Sequence, residues 1–196
     1  MSEDEKIQIV AFSTNETNQT PNDIIDIFLQ NNNNHQILKK SKSAIAFSLT
    51  LPNSINPSKV IICSVLNLNR EYTGITDVNC YIFFINLEKE DSLDKFEVIF
   101  NYAKDYCELN KKIYVLGMLS KKKEDLKSIN KEDITKILDL EQCIYEYKEI
   151  DLSNHKEISD TIMDILVYSS KHSISGDDDY SALDKEGGNQ GSCRHH

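Results

Sequence analysis

The sequence predicts an α/β domain: a mixed, mostly parallel sheet of about six strands with helices on both faces. Three observations lead there. Apolar runs of strand length recur, KIQIVAF at 6–12, NCYIFFINL at 79–87 and KIYVLGML at 112–119. From residue 79 onward such runs alternate with segments of helical period, which implies parallel strands joined by right-handed crossovers. Earlier, two β-rich runs face each other across PNSINPS, which implies one antiparallel hairpin.

Taken in order, residues 6–12 read as a buried strand and 22–30 as a short helix with Pro21 at its start, where the missing N–H costs nothing. Asn31–Asn34 is an asparagine insert, read as a loop. SAIAFSLTL (43–51) and KVIICSVLNL (59–68) form the hairpin, with Pro52 and Pro57 forcing the turn between them. The run at 79–87 has no polar alternation, as expected of a strand covered on both faces. Asp91 caps a helix whose apolar positions Leu93, Phe96, Phe100, Ala103 and Cys107 follow a 3-4-3-4 spacing, one buried stripe. A strand at 112–119, a helix at 131–140 and a strand at 143–149 follow. Asn154 with Glu157 forms a capping box for the last helix, whose core side is Ile158, Ile162, Ile165 and Leu166. The domain spans 1–172. The tail, 173–196, is acidic and glycine-rich with one small apolar interruption, YSAL, and its composition predicts disorder.

Bulk properties exclude several classes of function. A length of 196 residues with 39% hydrophobic content supports one domain with a proper core. The formal charge of −10 disfavours direct nucleic-acid binding, which needs clustered Lys and Arg. The basic knot Lys121–Lys123, with Lys127 nearby, reads as a solvated loop. Cys63, Cys80, Cys107, Cys143 and Cys193 are scattered and form no C-x-x-C pair, which points to a reducing compartment, nucleus or cytoplasm. The charged start MSEDEK has no signal-peptide core. No run reaches the roughly 18 apolar residues of a membrane helix, so no membrane role is expected.

The element order, β-α-β-β-β-α-β-α-β-α, is that of the small GTPases, and each nucleotide contact can be checked against it. A phosphate loop, G-x-x-x-x-G-K-[ST], belongs in FSTNETNQTPND. There Ser13 and Asn18 replace the glycines, Gln19 replaces the lysine, and only Thr20 fits. Without glycine and lysine the backbone cannot cradle a β-phosphate in the usual way. Glu71-Tyr-Thr-Gly74 resembles the metal-reaching D-x-x-G loosely, with the next strand too close behind it for a switch segment. Where the base-reading N-K-x-D belongs stand Met118, Leu119, Ser120 and Lys121, none able to pair with a guanine edge. The five histidines, read as lying in loops, helix ends or the tail, show no metal-ligand spacing. A Cys–His pair stays open as a nucleophile, the core-type cysteine being the commoner case. Asp177–Asp179 lacks the regular calcium loop. Cys193-Arg-His-His lacks the aliphatic pair of a prenylation box. No cofactor, metal or catalytic residue is expected, and the chain reads as a non-enzyme.

FFINLEKEDSL, Phe83 to Leu93, resembles the centromere protein M family: an apolar strand ending in Asn86-Leu87, a charged turn, then Ser92-Leu93 opening a helix. The similarity extends to 112–119, to IYEYKEIDL at 144–152, to SLTLPNSINPSKV at 48–60 and to Ser181-Ala182-Leu183. It departs at the asparagine insert, in the longer segment before the central strand, and in lacking a glycine after the first strand. The resemblance implies a small-GTPase-like domain without nucleotide binding, a structural subunit of the inner kinetochore in the nucleus. Its partners would be centromere proteins H, I and K, and its interface would include Leu109 and Leu183. Leu109 as a helix-end core residue and Leu183 as an isolated tail residue are the plainer alternatives. A pseudo-GTPase adaptor or chaperone of vesicle trafficking, binding coat or Rab-type proteins, and a divergent small GTPase are the competing readings.

Overall fold

The computed structural model describes residues 5–14, 21–65, 77–106, 111–120 and 127–172. The chain runs β1 (Lys6–Ser13), α1 (Pro21–Gln30), β2 (His35–Lys40), β3 (Ala44–Leu49), β4 (Ser58–Val65), β5 (Cys80–Asn86), α2 (Ser92–Tyr106), β6 (Lys112–Leu119), α3 (Lys131–Leu140), β7 (Tyr145–Asp151) and α4 (His155–Ser170). One sheet holds all seven strands in the order β2-β3-β4-β1-β5-β6-β7. β4, β1, β5, β6 and β7 are parallel to their neighbours in that series, and β3 is antiparallel to both β4 and β2.

The expected six strands become seven because of β2, which begins directly after the asparagine insert. HQILKK carries no buried residue and no apolar alternation, so only its ladder to β3 makes it a strand. A bulge between Ile37 and Lys39 interrupts that ladder, leaving Ile37 and Leu38 half-exposed at the sheet edge. His35, expected in a loop, is therefore the first residue of a strand. At the opposite edge β7 starts two residues later than expected, because Gln142 turns the chain with a positive φ of 54°.

Alternation along β1 sorts the core into two layers. Ile7, Ile9 and Ala11 face α1 and α4, which bring Ile24, Phe28, Ile158, Ile162 and Leu166 to that side. Val10 and Phe12 face α2 and α3, which supply Phe96, Phe100, Ile134 and Leu138. Each face thus carries two helices. β5 lies between β1 and β6 under both layers, which is why its sequence is a continuous apolar run. The second layer is organised by rings: Phe12 stacks on Phe83 at 4.8 Å, and Phe96 meets Phe83 edge-on at 5.7 Å.

The helix starts use short polar side chains. Asn154 accepts the Glu157 N–H at 3.2 Å, the first half of the expected box, while the Glu157 carboxylate also reaches the Asp151 N–H at 3.5 Å. Asp133 returns to the Asn130 N–H at 3.3 Å at the start of α3, an N-x-x-D pair that the helical period of this segment does not reveal. Asp91 accepts the Lys95 N–H through its carbonyl, and its carboxylate pairs with the Lys95 ammonium at 3.0 Å. That ion pair holds the Asp91 carboxyl below its ordinary value.

Candidate functional site

In an open parallel sheet, ligands bind beyond the C-terminal strand ends, where the chain changes its side of departure. Here that point lies between β1 and β5, since β1 leads to α1 on one face and β5 to α2 on the other. Ser13 ends β1 opposite Phe84. Thr14, one residue further, is buried and fastens three elements together. Its N–H donates to the Phe84 carbonyl at 3.0 Å, its Oγ1 accepts the Asn86 N–H at 3.0 Å, and it meets the buried Ser92 Oγ at 3.4 Å. Asn18, Gln19 and Thr20 lie outside the described residues.

The other flank of this position is tied down as well. Asn22, in the first turn of α1, donates to the carbonyls of Ser41 and Lys42 at 3.2 and 2.8 Å, and accepts the Ser64 hydroxyl at 3.0 Å. Both sides of the segment where a phosphate loop was expected therefore spend these polar groups on the protein itself. Sequence alone does not single out Thr14 and Asn22, because a threonine after a strand and an asparagine after a proline are common turn residues.

Where a base-reading motif was expected, the chain forms a staple. Met118 and Leu119 are buried in the two core layers. The Ser120 N–H and hydroxyl both reach Glu88 Oε1, at 2.7 and 2.6 Å. Ser128 returns to the same place, its N–H to the Leu87 carbonyl at 2.8 Å and its hydroxyl to the Glu88 carbonyl at 3.2 Å. Lys127, expected in a solvated loop, is instead largely covered and paired with Glu149 at 2.7 Å. Lys121–Lys123 and Glu71–Gly74 fall outside the described residues.

Cys63 and Cys80 are placed as core groups, Cys143 is partly buried, and Cys107 and Cys193 lie outside the described residues. Burial pushes Cys63 up to about 11 and Cys80 up to about 12; Cys80 also lies 3.2 Å from the Ser169 hydroxyl. Such thiols stay protonated at neutral pH and are poor nucleophiles. Among the described residues, no group of three His, Cys, Asp or Glu is placed to hold a metal ion, and no helix is long and apolar enough to cross a membrane.

At the opposite, N-terminal ends of the strands a second constellation forms. Asn79 accepts the Gln8 N–H at 2.6 Å and donates to the His172 carbonyl at 2.9 Å, fixing the end of α4 beside the start of β5. The His172 ring stacks on Tyr168 at 4.4 Å. Lys112 lies over the rings of Tyr168 and Tyr114, at 4.3 and 4.7 Å, and pairs with Glu146 at 2.7 Å. Next to it, the Ile113 N–H donates to the Ile144 carbonyl at 2.9 Å. At this corner, where α3 turns into β7, Leu140 and Ile144 are 75% and 66% exposed. Leu109 and Leu183 lie outside the described residues, three positions before Lys112 and eleven after His172. No protein-family model matches the chain, and no curated protein matches it.

Proposed function

We propose that this chain is a non-catalytic interaction subunit: a small-GTPase-like domain that has lost its nucleotide chemistry and works in the inner kinetochore with partners of the centromere protein H, I and K type. The family assignment rests on the resemblance at 83–93, 112–119 and 144–152. Two structural features support the degenerate-GTPase part. Apart from the edge strand β2, the remaining six strands form the mostly parallel sheet expected of such a scaffold, with no helix described between β4 and β5, and the expected phosphate-loop and base-reading positions are flanked by internal hydrogen bonds.

The observation that carries the interaction reading is the corner at Leu140 and Ile144. Two large apolar side chains, both more than half exposed, stand between the last turn of α3 and the start of β7. Exposed apolar side chains close together in the chain gain from being covered by a partner. The test is affinity purification of the chain tagged at its N-terminus, beside a Leu140→Asp/Ile144→Asp variant, with partners identified by mass spectrometry. Centromere H, I and K-type proteins should be recovered with the parent chain and depleted at least tenfold with the variant. Recovery of coat or Rab-type proteins would replace this reading with the trafficking adaptor.

A further inference from the structure

Resting on the interaction reading, we infer that the edge strand β7 accepts a strand from the partner: an extended segment, alternating arginine or lysine with apolar residues, that pairs with β7 beside α4.

The main chain is disposed for this. β7 ends the seven-stranded sheet and pairs with β6 over seven residues without a shift of register. The Ile144 carbonyl accepts the Ile113 N–H, and the Leu152 N–H reaches the Leu119 carbonyl. Even-numbered residues of this strand therefore turn their main-chain groups to β6, and Tyr145 and Glu149 turn theirs away from the sheet. An added ladder stops there, because the Glu157 carboxylate already takes the Asp151 N–H at 3.5 Å. The opposite edge, β2, is broken by its bulge and carries two lysines, devices that keep a further strand away. β7 has neither a bulge nor a proline. Leu140 and Ile144, both mostly exposed, stand just before its first residue.

The groove between β7 and α4 selects the occupant. A hollow of about 150 Å³ opens there, with Leu116 and Ile165 in its lining and Asp164 beside them. A second hollow continues past Lys148, which lines both, to Asp151, Glu157 and Asp160. With Glu146 the groove holds five carboxylates against the ammonium groups of Lys112, Lys148 and Lys156. Lys112 is taken by Glu146 at 2.7 Å. Asp160 and Asp164 stand one turn apart on α4, both exposed, and neither is in an ion pair among the described residues. Like charges at that spacing repel, so a cation laid beside them is favoured. An arginine or lysine fits with its aliphatic stem on Leu116 and Ile165 and its head at Asp164. On the other face of the added strand, side chains meet the half-buried rings of Tyr145 and Tyr147, which favours apolar residues there. A second copy is the wrong occupant, since β7 paired with β7 would gather the Asp160 and Asp164 carboxylates of both copies on one face.

The probe is a capped heptapeptide alternating arginine and valine, titrated to millimolar concentration into the isotopically labelled full chain at physiological salt. Saturable amide shifts should be confined to β7 and the facing side of α4. At saturation, amide exchange at Tyr145 and Glu149 should slow about tenfold or more. Asp160→Asn with Asp164→Asn, both at the surface, should weaken binding about tenfold. N-methylation of alternate peptide residues should abolish binding in one phase and spare it in the other, as strand addition requires. Equal effects of the two phases overturn the inference, and so does equal affinity for a glutamate–valine peptide. Absence of localised shifts at millimolar peptide overturns it too. So does protection of Tyr145 and Glu149 that grows with the concentration of the chain alone, because the added strand would then come from a second copy. None of these results touches partner recovery by the parent chain, whereas failure of the interaction reading shows as undiminished recovery by Leu140→Asp/Ile144→Asp.

Discussion

Leu87 Cδ1 lies 2.7 Å from the point where a β carbon on Gly117 would sit, and the Tyr147 hydroxyl is 2.9 Å from the same point. Leu87 is fully buried, and its N–H is bonded to the Met118 carbonyl at 3.0 Å, so it cannot retreat without disturbing the end of β5. Glycine in the middle of a buried strand is thus explained by close approach from the neighbouring side chains. Gly117→Ala should destabilise the domain by about 1–3 kcal/mol through overpacking, read as a lower urea midpoint at unchanged slope. Leu87→Ala in the same chain should relieve part of that cost, giving a non-additive double mutant. Additive losses would mean the crowding lies elsewhere.

Thr14→Val keeps the shape of the side chain and removes the hydroxyl that accepts the Asn86 N–H and meets Ser92. A part-buried N–H that loses its acceptor costs up to about 1–3 kcal/mol. The loss should appear in urea unfolding together with faster amide exchange at Asn86. Because a phosphate loop was expected directly after this position, nucleotide provides the companion measurement. GDP or GTP with magnesium, at millimolar concentration, should leave the thermal midpoint of the parent chain unchanged. A rise would follow from ligand linkage and would restore the divergent-GTPase reading.

The fold was legible where one element decides its own environment. β5 and β6 are covered on both faces, so their apolar runs needed no partner to interpret, and the stripe Phe96, Phe100, Ala103 on α2 fixed its buried side through spacing alone. Where pairing rather than composition makes the structure, sequence reading fell short. β2 is a strand only because β3 offers a ladder to HQILKK. Lys127 read as solvent-facing because nothing local announces Glu149, 22 positions on (149 − 127) and on another element. The site suffered most from this limit. The Thr14–Asn86–Ser92 knot and the Lys112–Tyr168–His172 stack join residues far apart in the chain, and no spacing rule anticipates them.

Stability should fall at alkaline pH through the buried thiols. Burial raises Cys63 to about 11 and Cys80 to about 12, from the model-compound value of 9.0 that the unfolded chain approximates. Above pH 9 the unfolded state releases these protons while the native state retains them, so unfolding becomes progressively easier. The contribution is fully present below pH 9 and is lost as pH rises through about 11 and 12, on the order of 3 kcal/mol per thiol. Tyr114, also raised mainly by desolvation, acts with the same sign. Urea midpoints between pH 8 and 11 measure the slope, and Cys80→Ala should flatten it. An unchanged slope in both Cys63→Ala and Cys80→Ala would exclude the thiols as its source.

Lys112 is the residue that joins the end of α4 to the start of β6, and its two kinds of contact can be separated. Its ammonium pairs with Glu146, whose side chain is 54% exposed, so solvent screens most of that attraction and Glu146→Gln should cost less than about 1 kcal/mol. The contacts with the rings of Tyr168 and Tyr114 are more sheltered, the Lys112 side chain being 18% exposed. Lys112→Ala should therefore cost more, about 1–2 kcal/mol, through lost cation–π attraction and lost packing of the aliphatic stem. Lys112→Met restores the stem without the charge and should recover the packing share only. A double-mutant cycle with Tyr168→Leu isolates the ring contact, with a coupling of about 0.5–2 kcal/mol expected at this depth. Because Tyr168 stacks on His172, Lys112→Ala should also speed amide exchange at the C-terminal turn of α4 more than at its start. Uniform acceleration along α4 would instead mean that the substitution loosens the whole helix and that Lys112 does not anchor its end.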